Sequence, residues 1–388
     1  MPEKIYNVPL RGGWVATVFT EWNFPPRVIG QWNSILEAYG DTRVFISPAW
    51  FERWWNAFGE GRELFVVVLE REGEVQAVFP CCITSDSDGE ILSSLTNDHT
   101  CHFDFIVRPP VRREALAGFL ELAGKVKPGL GMSLEYIPVS GCNGEALFSA
   151  LRRTKTPSHR YSQPWAPRME VRGEWDAFQK RIPGRLRNTL RRNRKKAEVE
   201  GVLSFEVIRR SEQLDQVLDV LFDIEYNSWK GRNGTAIRCS AGTEKFYREL
   251  ARSAMQSGHL LIFLLKQGEA SLAADFCLCS GETVFLLKPC YDEAFSQFTP
   301  GNLLHYESFG YLFALQEIRW YDFLGACEPW KMEWTAQTGE YGWIRAFPKS
   351  LKGWRNYMLR YGWKSHLRGI RSRLRSTSVG AGYGSALR

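Results

Sequence analysis

Thr283-Val-Phe-Leu-Leu-Lys-Pro-Cys-Tyr291 is followed by a polar loop from Asp292 to Thr299, by Pro300-Gly-Asn302, by an apolar run from Leu303 to Glu317, and by Arg319-Trp-Tyr-Asp-Phe-Leu324. The two outer pieces are rich in aromatic and aliphatic residues and bounded by turn formers, which predicts strands. Between them Leu303, Leu304, Phe309, Leu312, Phe313 and Ile318 recur at roughly helical spacing, and proline sits where a first turn tolerates it. The segment reads as a β-α-β unit. Its second strand turns at Gly325 into Glu328-Pro-Trp-Lys-Met-Glu-Trp-Thr335, so polar groups collect where the unit ends.

Thr299-Pro-Gly before a helix is expected to leave first-turn N–H groups free. With the positive end of the helix dipole they form a seat for an anion such as a pyrophosphate. A capping threonine and a first-turn proline are also ordinary helix punctuation. What favours the seat is the strand that follows, which brings Asp322, a Gly turn and the Glu328/Lys331 pair to face it.

Outward from this unit the chain has 388 residues, 44% hydrophobic and 14% aromatic, enough for two packed domains and too apolar for a disordered chain. No run of 18 apolar residues occurs, and Met1-Pro-Glu-Lys opens no signal region, which predicts a cytosolic protein. Nine cysteines without a C-x-x-C pair argue against a disulfide framework and a zinc ribbon. The net charge of +7 misleads as an average. No Asp or Glu follows Glu340, while 11 Lys/Arg lie in 341–388; the remainder holds 39 basic against 43 acidic side chains, a net charge of −4.

The order of parts around the opening unit occurs twice. Pro48 to Phe58 reads as a helix with Ser47 as its cap, followed by a hairpin of Leu64–Leu69 and Val75–Phe79 and a third strand from Ile91 to Leu95. Thr243 to Ser257, His259–Leu265, Leu272–Leu278 and the Thr283 strand repeat that order, with the Gly73 and Gly89 turns matched by Gly268 and Gly281. This predicts an internal duplication of a helix-β-β-β unit. Trp50, Trp54 and Phe58 at i, i+4, i+8 are expected in the core. Thr154 to Pro167, rich in Pro, Ser, His and Thr, reads as the link between halves. Trp175 to Glu200 reads as helix broken near Pro183-Gly184, and Lys180 to Lys196 within it holds nine basic residues and no acid. Like charges at i, i+4, as in Arg181/Arg185 and Arg187/Arg191, point to an acidic partner or to a solvated face.

Asn227-Ser-Trp-Lys-Gly-Arg-Asn-Gly-Thr-Ala236, Asp292 with Thr299-Pro-Gly-Asn-Leu-Leu304, Asp322-Phe-Leu-Gly325, Trp330-Lys331 and Trp334-Thr335 together resemble the CelD-type GNAT N-acetyltransferases associated with bacterial polysaccharide synthesis, over most of residues 45–345. The resemblance implies a tandem pair of GNAT folds related to the Fem-type aminoacyl transferases, which agrees with the duplication. The expected fold is α/β (α+β): residues 1–165 a degenerate lobe that shapes the acceptor site, 166–345 a lobe carrying donor and chemistry, and 346–388 a basic helical tail. It also implies acyl-CoA, acetyl-CoA foremost, as donor, with its pyrophosphate at Thr299, Gly301, Asn302 and Leu303, and an amine or amino sugar as acceptor. The fuller Gln/Arg-x-x-Gly-x-Gly/Ala loop of simpler GNATs is reduced here to Thr299-Pro-Gly-Asn302, and there is no room for the long paired-helix arm of typical Fem enzymes.

Amine attack on a thioester needs a proton acceptor, a stabiliser of the developing oxyanion and an acid for the leaving thiolate. Asp322 or Glu328 is the candidate base, Lys331 the charge stabiliser or positioner, and Tyr291 the thiol-side acid; no Cys/His pair suits a covalent intermediate. Turn capping by Asp322 and a surface salt bridge at Lys331 are the plainer readings. Trp229 and Lys230 are candidate substrate contacts or helix-end packing. His99, Cys101, His102 and Asp104 include metal-ligand types at a spacing that matches no common site, so no metal is expected, and His99 and Asp104 are assigned to the acceptor groove. Two other functions remain open at this point: aminoacyl transfer from charged tRNA, with Lys180–Lys196 on its phosphates, and a non-catalytic subunit of a polysaccharide synthesis complex. The tail from Lys349 to Arg375 mixes nine basic residues with aromatics, suiting either an interfacial helix on the inner face of an anionic membrane or a helix packed on the acidic body.

Overall fold

A computed structural model describes residues 6–362 apart from Asp88, Arg209 and Arg210. The first half contains β1 (Tyr6–Pro9), β2 (Trp14–Phe19), α1 (Pro26–Ala38), α2 (Pro48–Phe58), β3 (Glu63–Arg71), β4 (Glu74–Asp86), β5 (Gly89–Ser94), β6 (Ile106–Val107), α3 (Arg112–Val126), β7 (Gly131–Ile137), α4 (Cys142–Arg153) and β8 (Ser158–Trp165). The second contains β9 (Arg168–Glu170), α5 (Trp175–Arg181), α6 (Gly184–Glu200), β10 (Leu203–Ile208), α7 (Leu214–Asn227), α8 (Trp229–Arg232), α9 (Ala241–Gln256), β11 (Leu260–Gln267), β12 (Ala270–Ser280), β13 (Thr283–Tyr291), α10 (Pro300–Leu315), β14 (Trp320–Asp322) and α11 (Pro329–Met332). Two further elements, β15 (Gly339–Ala346) and α12 (Leu351–Tyr357), close the described chain.

The duplication holds. The hairpin β3/β4 with β5 and the hairpin β11/β12 with β13 are antiparallel meanders preceded by α2 and α9, and each meander ends on a parallel neighbour, β7 or β14. The crossover helix is α3 in one lobe and α10 in the other, as parallel pairing requires. Ser47 caps α2 by accepting from the Trp50 N–H at 3.2 Å. Trp50 and Trp54 are buried, and the stripe they form with Phe58 meets Phe246 of α9 at ring distances of 5.5 Å (Trp50) and 5.3 Å (Phe58), so the repeated helices pack on each other. One continuous apolar core fills the first lobe and reaches the α7/α9 face of the second sheet; a separate core lies between that sheet, α5, α6 and α10.

The lobe boundary differs from the sequence reading in one respect. β15, assigned there to the second lobe up to Arg345, joins the first sheet between β7 and β8, in the order β1-β2-β3-β4-β5-β7-β15-β8 with β6 on β4. Conversely β9, just past the link, closes the second sheet, ordered β10-β11-β12-β13-β14-β9. Gly342, Ile344 and Ala346 alternate inward, so β15 reads locally as an ordinary strand. Its partner, set by pairing over some two hundred residues, leaves no local trace. The tail is described only to Gly362: α12 leaves Leu351 and Trp354 exposed, and the Tyr361 ring stacks on His159 at 4.1 Å. The rest of the tail, with most of its basic residues, lies outside the described residues. Among the described residues no helix is long and apolar enough to cross a membrane.

Candidate active site

The parallel pair β13/β14 is aligned only from Thr283↔Trp320 to Phe285↔Asp322. Beyond it β13 runs six residues further, paired with β12 alone, so its other edge from Leu286 to Tyr291 opens onto the segment after Asp322. Both strands end at this opening, the place where parallel strands commonly receive ligands.

A bulge shapes the open edge. Phe276 pairs with Lys288 and Cys277 with Leu286, leaving Leu287 as an extra residue. Phe276 belongs to the core shared with the first lobe and Leu286 to the core under α10. Strict alternation from Leu286 would turn Lys288 toward α10; the extra residue turns it instead toward the first lobe.

Asp322 lies at the other side of the opening and is buried. Burial pushes its carboxyl up to about 7, against the pull of the Leu324 N–H and of the Arg168 and Lys331 cations. The Leu324 N–H donates to its Oδ1 at 2.8 Å, the expected turn cap, while the raised pKa suits a proton acceptor near neutrality. The turn it caps is held from several sides. Lys331 Nζ donates to the carbonyls of Leu324 (2.8 Å) and Ala326 (3.2 Å) and meets Glu328 Oε2 at 3.1 Å. All three of its protons have acceptors, so Lys331 positions the turn and is not poised to receive an oxyanion. Glu328, half exposed, serves as its outer partner and as acceptor for Trp330 Nε1 at 3.0 Å, leaving Asp322 the better base. The Trp330 ring stacks on buried His305 at 5.1 Å, and His305 Nε2 lies 3.2 Å from Asp275 Oδ2, which ties the turn to α10.

Four non-glycine residues in left-handed backbone gather here: Leu324 (φ 52°), Cys101 (φ 56°), Tyr136 (φ 54°) and Ala166 (φ 49°). Ala166 N–H donates to the Gly325 carbonyl at 2.7 Å, and Trp165 Nε1 to the Cys101 carbonyl at 3.1 Å. The Tyr136 and Trp165 rings are 5.5 Å apart. Each such residue costs about 1–3 kcal/mol and persists only where the surrounding structure over-determines it, and strain concentrated in one place is typical of functional sites.

At the other end of the opening Tyr291 is exposed, its ring 3.9 Å from where a Gly301 Cβ would stand, so phenol and helix start are neighbours. The helix start is a poorer anion seat than its sequence implies. Thr299 is left-handed (φ 51°) and its carbonyl already accepts from the Asn302 (3.0 Å) and Leu303 (3.2 Å) N–H groups; Pro300 has none, which leaves Gly301 N–H. Its hydroxyl accepts from buried Asn193 of α6 at 3.1 Å. Through that contact α6 flanks the start of α10, and a cavity of about 630 Å³ opens between them, lined by Lys180, Arg187, Arg191, Leu303 and Tyr306 among others. On this island Arg194 pairs with Glu198 and Glu307, whereas Lys180, Arg187, Arg191, Lys195 and Lys196 form no ion pair among the described residues.

The first lobe contributes less than expected. His99 stacks on Phe58 at 5.5 Å and lies 3.5 Å from the Tyr247 hydroxyl; burial, then the Lys288 charge, lowers its pKa to about 4, so it is neutral at neutral pH. Asp104 is held by its own lobe. Its carboxylate takes Arg43 Nη2 at 3.0 Å, Asn143 Nδ2 at 2.8 Å and the Phe105 N–H at 2.8 Å, and so braces the first lobe internally. Trp229 is half exposed at the start of α8, its N–H bonded to Glu293, while Lys230 Nζ binds Glu225 (3.1 Å) and the Pro289 carbonyl (2.8 Å). Lys288, Glu225 and Arg168 were not singled out from sequence, and Cys101 only as one of four metal-ligand types. Of these only Lys288, a lone charge in an apolar strand, left a local signal.

The acetyltransferase (GNAT) domain family matches residues 184–332, from the basic helix to α11. The second lobe carries a GNAT-type N-acyltransferase domain. Domains of that family use an acyl-CoA co-substrate. The fold is similar to that of FemX (13% identity, TM-score 0.51, covering 76% of this chain and 90% of that one). It is similar as well to L-PGS from Bacillus licheniformis (12%, TM-score 0.51, 85% and 94%). A third likeness is to the C-terminal domain of a putative lysylphosphatidylglycerol synthetase from Agrobacterium fabrum (10%, TM-score 0.51, 82% and 90%). At such identities these likenesses concern the fold alone. No curated protein matches the chain.

Proposed function

We propose that the protein transfers an acyl group, acetyl foremost, from acyl-CoA to the amine of a small molecule or amino sugar, and that this reaction serves polysaccharide or envelope synthesis, a reading supported by the CelD-like motifs. The observation that carries the reading is a carboxyl held near pH 7 at the mouth of an open parallel strand pair. Asp322 takes a proton from the acceptor amine as its nitrogen bonds the thioester carbonyl carbon. The carbon–sulfur bond breaks and the departing thiolate takes a proton from solvent; Tyr291, beside Gly301 and six residues along β13 from the level of Asp322, stands at the pyrophosphate end of the donor's arm. The unpaired edge of Leu286 to Tyr291 offers backbone groups to the amides of the donor's arm. Its pyrophosphate meets Gly301 N–H and the α10 dipole. Because Asn302 and Leu303 N–H groups are already used, the free cations of α6 supply the rest of the anion affinity.

The test is thiol release from acetyl-CoA over a panel of amines, with mass spectrometry of ligands retained by the purified protein. Absence of both thiol release and any retained or titratable CoA thioester would sink the reading. Gly301→Val is expected to weaken donor binding roughly tenfold, about 1.4 kcal/mol, with the fold kept. A Cβ there meets only the Tyr291 ring at 3.9 Å, so the bulk falls on the ligand's side. Calorimetry with CoA checks it, and an unchanged dissociation constant would move the pyrophosphate elsewhere.

The unpaired basic face of α6 favours a second reading, aminoacyl transfer from charged tRNA. On that reading log affinity for tRNA falls steeply and linearly with log salt, and Arg187→Glu with Arg191→Glu flattens the slope by about one unit per lost phosphate contact. Equal, salt-insensitive binding by both proteins would remove RNA from consideration.

A further inference from the structure

The bulge at Leu287 delivers Lys288 into a buried cluster at the lobe boundary. Glu225 of α7 is fully buried and serves two lysines with one carboxylate: Oε1 takes Lys230 at 3.1 Å, and Oε2 takes the Ile237 N–H at 2.8 Å. Lys288 Nζ reaches Oε1 only at 3.6 Å, too long for a hydrogen bond, with its side chain 13% exposed. Its remaining neighbours are the Tyr247 ring at 5.5 Å, neutral His99 and the Cys101 thiol. Two cations thus share one anion, and the ammonium facing the site has only this long ion pair with Glu225 to hold it. A nearly buried charge in that state is costly unless a ligand completes it. Cys101 lies within electrostatic reach of both Lys288 and Asp322, so the same ligand can meet the base and the lysine.

We propose that the acceptor carries an anionic group, a carboxylate or a phosphate monoester, which docks on Lys288 while its amine faces Asp322. The inference rests on the acyl-transfer reading of the same site. Phe285, the partner of Asp322, pairs with Leu278 and Lys288 with Phe276, so with Leu287 taken up in the bulge the two levels lie two strand steps, roughly 7 Å, apart, and amine and anion are separated by several bonds. This favours an amino-sugar phosphate or an ω-amino acid over an α-amino acid. Lys288 acts as a specificity determinant; it takes no proton and forms no bond in the transfer.

The experiment compares matched acceptors with acetyl-CoA: glucosamine 6-phosphate against glucosamine, and 6-aminohexanoate against hexylamine. The native protein is expected to prefer the anionic member of at least one pair tenfold or more in kcat/KM, the phosphate and carboxylate arms telling the two anions apart. Lys288→Met brings that ratio close to one, mainly through KM, and Lys288→Arg keeps it. The Met variant leaves Glu225 with Lys230 as a balanced pair, so it should fold. No preference in the native protein, or a preference surviving Lys288→Met, would overturn the inference. If no amine is acylated at all, the transfer reading fails instead. The anion seat is then judged by calorimetric titration with inorganic phosphate: binding tenfold weaker in Lys288→Met than in the native protein sustains it, and equal binding overturns it.

Discussion

Asp322→Asn is expected to lower turnover by roughly 10²-fold or more while the protein stays folded. Asn keeps the size and the oxygen that accepts the Leu324 N–H at 2.8 Å, so the turn survives, but it takes no proton at neutral pH. The native rate should rise with pH through about 7, where the Asp322 carboxyl ionises, and then level off; the residual rate of the variant should lack that rise. A variant with native turnover, or one that keeps the same acid limb, would remove Asp322 from the chemistry.

Stability should move the opposite way, which separates lost function from lost fold. The folded-state pKa of Asp322, about 7, lies above its ordinary value of 3.8, so folding favours its protonated form. The stability present in acid is lost as pH climbs from about 4 to about 7, by an amount on the order of 4 kcal/mol. Asn carries no charge to desolvate. Denaturant midpoints at pH 8 should therefore be equal to or higher than native, and the gap should close near pH 4. A site that gives up stability for a poised base is the usual trade between activity and robustness.

What the sequence disclosed and what it hid follow from the range of the forces involved. Periods of 2 and 3.6 are local, so the helix-β-β-β duplication, the break at Pro183-Gly184 and the β13-α10-β14 unit were legible residue by residue. The insertion of β15 into the first sheet was not, because a strand's partner depends on edges made far away in the chain. Asp322 was legible as an acid ending a strand beside a glycine turn. Lys331 was legible as a polar residue in the right loop, but its role depends on three acceptors whose positions only the fold fixes. The anion seat was overestimated for a related reason: a threonine before proline reads as a cap, but its carbonyl takes the Asn302 and Leu303 amides as the helix closes its first turn, and Pro300 has none to give. The bond that Asp104 makes to Arg43, sixty-one positions earlier, was equally invisible to a local reading.

Glu225→Gln is expected to cost about 3–5 kcal/mol of stability, the range for removing one partner from a buried charge cluster. Burial alone would raise the Glu225 pKa; Lys288 and Lys230 overcome it and hold the carboxylate below the usual range. The stability this contributes is present above the unfolded value near 4.3 and is lost as pH falls through the lower folded value. With Gln in place, Lys230 and Lys288 would repel one another in a site that is nearly dry, and Lys288, already lowered mainly by desolvation, would lose the carboxylate that props its charge up. The damage should therefore be greatest at neutral pH and shrink in alkali, where Lys288 sheds its proton. A second substitution separates charge from packing. Adding Lys288→Met to Glu225→Gln removes the excess cation and should restore at least about 1 kcal/mol, a positive coupling measurable in a double-mutant cycle by urea unfolding at pH 7 and pH 9. Strict additivity, with the same loss at both pH values, would mean that Glu225 stabilises the lobe through its bond to the Ile237 N–H alone. Lys288 would then have to be read as an isolated surface-edge lysine, without the unmet charge that makes it a seat for the acceptor.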